Sequence, residues 1–149
     1  MGSGQTNRED TIRLLQECDA GIKMGVEAIG DVLDHVESRE LKKMLQECRS
    51  RHQRLAKDVE EALQRSGAEG KKPGFAAQVM SRMKTSVKLS AEDTDRTVAG
   101  LMTDGANMGV KSLHRYLNAY RNAEKDVREI AQRLASLEER LARELQPFL

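Results

Sequence analysis

Aromatic residues make up only 3% of the chain, and there is no tryptophan. A base-stacking platform for single-stranded nucleic acid interleaves such rings with cations, so that partner class is set aside. The net charge of +1 likewise gives no global attraction to nucleic acid or to a membrane surface. Prolines are two, Pro73 and Pro147, which leaves long stretches without a helix breaker. Cysteines are also two, Cys18 and Cys48, too few for a disulfide framework and wrongly spaced for a zinc site. No apolar run approaches the about 20 residues that a membrane span needs. No secretory signal is read at the N-terminus, so reduced thiols in a cytoplasmic protein are the expectation. A glycine-rich phosphate loop, a nucleophile elbow and a metalloprotease histidine pair are all missing.

What is present is charge and helix-forming residues. Asp, Glu, Lys and Arg together reach 33% of 149 residues, the composition of long helices with charged outer faces in one domain. Met1 to Thr6 fits a myristoylation pattern, but residues 1–7 are read as a flexible leader. Thr6 and Glu9 form a capping box, placing the first helix start near Asn7. Its apolar seam reads Ile12, Leu15, Asp19, Ile22, Val26, Ile29, Leu33, Val36. Ser38 can cap a second helix with the stripe Leu41, Leu45, Cys48, His52, Leu55, Val59, Ala62, closed by Gly67. Residues 67–92 form a link: a loop, then a short amphipathic helix marked by Phe75, Val79, Met80, Met83 and Val87. Ser90 opens a third helix carrying Val98, Leu101 and Met108. Asn122 caps a fourth, with Val127, Ala131, Leu134, Glu138, Leu141, Leu145 and Phe148.

The pattern predicts an all-α, ferritin-like four-helix bundle: hairpin 8–66, crossover 67–92, hairpin 93–149. It also suggests an internal duplication. Met24-Gly25-Val26 recurs as Met108-Gly109-Val110 at an offset of 84, and the fourth helix follows the second at an offset of 86. Under that alignment His52 and Glu138 are one position.

Asp19, His52 and Glu138 are polar residues on apolar stripes, and Asp104 sits between Leu101 and Met108. All four fall within about a turn of their helix centres, so a bundle would gather them at one height. Such a set could ligate iron, manganese or zinc. The full di-iron pattern, however, needs Glu-x-x-His pairs, and here Arg49 and Ala135 stand at the Glu positions. Arg49 would instead neutralise Asp19 or Asp104, making a structural polar network with no catalytic residue. His35 and His114 fall off the stripes and are read as solvated, and Cys18 beside Asp19 as a poor nucleophile. The link carries Lys71, Lys72, Arg82, Lys84 and Lys88 with no acid between Gly70 and Ala91, so it could meet a membrane surface or an acidic partner. Packing on its own bundle is the simpler expectation.

Gln16-Glu17-Cys18-Asp19-Ala20-Gly21, the link helix from Phe75, and Asp104-Gly105 resemble a bacterial family of ferritin-like four-helix-bundle proteins of unknown function, over residues 8–146. The resemblance implies the bundle with a helical crossover and supplies no activity or cofactor. A structural or interaction module is the leading expectation. Stress-related roles are common among such bundles, and a homo-oligomer could form through the helix faces. A degenerate metal site is the alternative.

Overall fold

The computed structural model describes residues 3–71 and 94–149. Among them the chain is all-helical and contains no strand: α1 (Ser3–Leu33), α2 (Arg39–Ser66), α3 (Thr94–Ala119), α4 (Lys125–Leu145) and a closing 3-10 turn (Gln146–Phe148). The expected link helix, the Ser90 cap and the basic run beyond Lys71 lie outside the described residues. No helix among the described residues is long and apolar enough to cross a membrane.

Several boundaries follow from local chemistry. Ser38 is extended and its hydroxyl accepts from the Leu41 amide at 3.2 Å, which starts α2. Gly67 ends α2 in the left-handed region, at φ 67°, where its lack of Cβ removes the strain. Pro147 stands in the final 3-10 turn, past the end of α4. Two expectations are corrected. α1 begins at Ser3, not near Asn7, so the Thr6 box lies within the helix. α4 is capped at Glu124, not Asn122, and Glu124 makes no side-chain capping bond.

α1 packs along α2 and α3 along α4; α2 also meets α4, and α1 meets both α3 and α4. Gly25 lies opposite His52 and Gly30 opposite Arg49, so α1 and α2 run antiparallel. His52 opposite Glu138 and Asp58 opposite Arg133 give the same relation between α2 and α4. Because α1 touches all three other helices, its buried face is wide. Leu14, Cys18, Ala28 and Val32 are buried alongside Leu15, Ile22, Ile29 and Leu33.

The core is divided in two. One cluster holds Ile22, Leu55, Leu113, Leu134 and their neighbours; the other holds Ala28, Cys48, Ala106, Leu141 and theirs. The break falls at the same height on every helix, at Gly25, His52, Gly109 and Glu138.

The turns are held reciprocally. Asp95, in the first turn of α3, accepts from the Glu37 and Ser38 amides at 2.8 and 2.9 Å. Asp10 and Thr11 of α1 accept from the Asn122 and Glu124 amides at 3.1 and 2.9 Å. Each half of the chain therefore satisfies backbone donors in the other half's turn.

Candidate functional site

At the break between the two apolar clusters a titratable pair is enclosed by all four helices. His52 projects from the buried stripe of α2 and is 1% exposed, and its Nε2 lies 2.7 Å from Glu138 Oε1 of α4. Its Nδ1 lies 2.9 Å from the Cys48 carbonyl oxygen, one turn back on the same helix, and 3.6 Å from Cys48 Sγ. An oxygen acceptor faces each ring nitrogen, and both are satisfied when both nitrogens carry protons. Burial opposes that charge. The hydrogen bonds to Cys48 and Glu138, with the Glu138 carboxylate's charge, outweigh it and raise the imidazole from its ordinary 6.5 to about 10. His52 is an imidazolium at neutral pH, and the pair as a whole is neutral.

Two glycines make the pair fit. A Cβ on Gly25 would come within 3.3 Å of His52 Cδ2 and 3.4 Å of its Nε2. A Cβ on Gly109 would stand 3.3 Å from Glu138 Cγ. Bare backbone on α1 and α3 thus lets each helix close over one member of the pair. These glycines belong to the repeated Met-Gly-Val tripeptide. The repetition was visible in the sequence, but its meaning was not, because a glycine carries no polarity to mark it as part of a polar layer.

The four residues expected to share a layer are distributed differently, and the structure brings together only His52 and Glu138. Asp19 stands at the edge of α1, where its Oδ2 accepts from Lys23 Nζ at 2.7 Å and from the Lys71 amide at 2.9 Å. Asp104 is exposed on the outer face of α3. Arg49 sets its guanidinium against Gly30, more than a turn along α1 from Gly25, outside the layer. Height along a helix does not fix direction: a residue near a helix centre can still point away from the bundle axis. Among the described residues no group of three or more His, Cys, Asp or Glu side chains is placed to hold a metal ion.

The remaining candidates are accounted for by burial. His35 and His114 are exposed. Cys18 and Cys48 are buried free thiols. Burial, then the charges of Glu17 and Asp19, push the Cys18 thiol up to about 12, which makes it inert as a nucleophile.

Comparison with known proteins finds no match to this chain among family models, curated proteins or solved structures.

Proposed function

We propose that the chain is a structural or interaction module without catalysis, a ferritin-like bundle whose mid-height layer is neutralised from within. The observation that carries this reading is the doubly engaged His52 ring, with Glu138 Oε1 at 2.7 Å on one nitrogen and the Cys48 carbonyl at 2.9 Å on the other. An imidazolium has no lone pair to give a metal, and opposite an ionised Glu138 a neutral ring would leave one of these two acceptors without a donor.

The same reading takes the helix pairs as two hairpins joined by a crossover. The stretch of chain that follows α2 reaches Asp19 at Lys71, and α3 begins beside Glu37 and Ser38, past the end of α1. From Asp19 to the end of α1 at Leu33 is about 21 Å at 1.5 Å per residue, and residues 72–93 are long enough to cover it and the turn beyond. The reciprocal contacts support a duplicated origin. An offset of 84 relates Thr11 to Asp95 and Gly25 to Gly109, and 86 relates Ser38 to Glu124 and His52 to Glu138. Buried free thiols accord with a reducing cytoplasm. Partners, a second copy of the chain among them, would engage the charged outer faces.

Elemental analysis of untagged protein tests the reading, together with the imidazole nitrogen shifts of His52. Sub-stoichiometric iron, manganese and zinc, with both nitrogens in the protonated range, are expected. Stoichiometric metal that is lost in His52→Ala would overturn it in favour of a metal-binding protein.

A further inference from the structure

The segment just beyond α2 is fastened to α1 at one place. Gln16 Nε2 donates to the Glu69 carbonyl at 3.1 Å. Lys71 donates its backbone amide to Asp19 Oδ2 at 2.9 Å and its ammonium to Glu17 Oε1. The same Asp19 oxygen also accepts from Lys23, one turn along α1. Burial and then the charge of Glu17 raise the Tyr116 phenol of α3. The Glu17 hydrogen bond raises Lys71 as well, against a small opposing effect of burial. Gly70 completes the arrangement. A Cβ there would collide with Asp19 Oδ2 and stand 3.1 Å from its Cγ, so the strap approaches this closely only with glycine between Glu69 and Lys71.

We propose that Gln16, Glu17 and Asp19 form a charge-operated latch that clasps the strap Glu69–Lys71 and sets the direction in which the chain leaves α2. This gives Asp19 a role apart from the His52–Glu138 layer. Its apolar-seam position puts it at the edge of the buried face, within reach of the strap. Lys71 is about half exposed, its side chain at 50%, so the latch meets solvent and ionic strength weakens it. Nothing in the layer takes part, so the proposal does not depend on how the layer is read.

Amide hydrogen exchange, residue by residue in the full chain, tests the latch. The Lys71 amide is protected through Asp19, whereas the neighbouring Ala68 amide bonds the Leu63 carbonyl at 3.0 Å within the α2 cap. Asp19→Ala removes a charge-assisted acceptor and should speed exchange at Lys71 about tenfold or more while leaving Ala68 unchanged. Gly70→Ala should open the same contact with every charge in place. Salt raised from about 0.05 M to about 1 M should loosen Lys71 in the wild type and have little effect in Asp19→Ala. Equal Lys71 rates in wild type and both variants would overturn the proposal. So would acceleration of Ala68 in step with Lys71, which would mean fraying of α2 and not the opening of a latch.

Discussion

At the scale of single residues, the His52–Glu138 pair is a neutral unit whose members depend on each other. Removing one partner leaves a buried charge uncompensated, so His52→Leu or Glu138→Leu alone should cost about 3–5 kcal/mol. Replacing both by leucine removes the two desolvation penalties together and should cost far less, within about 1 kcal/mol of wild type or better. Urea denaturation of the two single variants and the double variant checks this through the coupling energy. The pH dependence has a definite sign. His52 is raised from 6.5 unfolded to about 10 folded, so across that window the native state holds a proton that the unfolded state has released. Its stabilisation is therefore complete below about 6.5 and fades as pH rises through about 10. The wild type should lose stability across that interval more steeply than the double leucine variant. Parallel slopes would place the proton elsewhere. The glycines divide by what faces them. Gly105 opens on empty space, and alanine there should gain about 0.5–1 kcal/mol from helix propensity. Gly25 faces an imidazole held at both nitrogens, which cannot step back, so Gly25→Ala should destabilise despite the same propensity gain. Thermal melts of the two variants should move in opposite directions.

At the scale of elements, the two halves are fastened through their turns. Asp95 accepts two otherwise unpartnered amides of the α1–α2 turn, and Thr11 accepts one from the start of α4. Asp95→Ala should cost about 1–3 kcal/mol, more than a lone surface hydrogen bond, because two donors lose a charged acceptor at once. Chemical denaturation gives the value; under about 0.5 kcal/mol would mean that water replaces the carboxylate freely. Much of the element layout was legible in the sequence. Every member of the α2 stripe from Leu41 to Ala62 is buried, since α2 offers one narrow face to the bundle and the helical period reports a narrow face well. The α1 seam was less clear. Contact with three helices widens its buried arc to take in Leu14 and Cys18 and leaves Asp19 at the margin, a breadth that depends on tertiary packing. The polar layer was half legible. His52 and Glu138 announced themselves as polar residues on apolar stripes, whereas their counterparts on α1 and α3 are glycines. Asp19 and Asp104 share the layer's height, which can be counted from the sequence, but not its direction, which depends on how each helix is turned in the bundle.

At the scale of the whole molecule, the proposed duplication predicts one approximate two-fold relation between the halves. Gly25 covers His52 and Gly109 covers Glu138, while Thr11 and Asp95 each hold the opposite turn. If the relation governs the packing, the pair should tolerate exchange of its members. At position 52 a glutamate would lie under Gly25 as Glu138 now lies under Gly109. At position 138 an imidazole would find an acceptor for its Nδ1 in the Leu134 carbonyl, one turn back on α4, as His52 finds one in the Cys48 carbonyl. Leu134 replaces the thiol, and the carbonyl that takes the proton belongs to the backbone of either helix. The combined variant His52→Glu with Glu138→His should therefore fold within about 1–2 kcal/mol of wild type, although each substitution alone buries two like charges and should cost at least the about 3–5 kcal/mol of a broken buried pair. Denaturation of the exchanged protein and of each single variant measures the difference. An exchanged protein no more stable than the worse single variant would show that the halves resemble each other in sequence alone. Rescue would show that the layer is set by backbone geometry common to both halves, with the two side chains free to occupy either place in it.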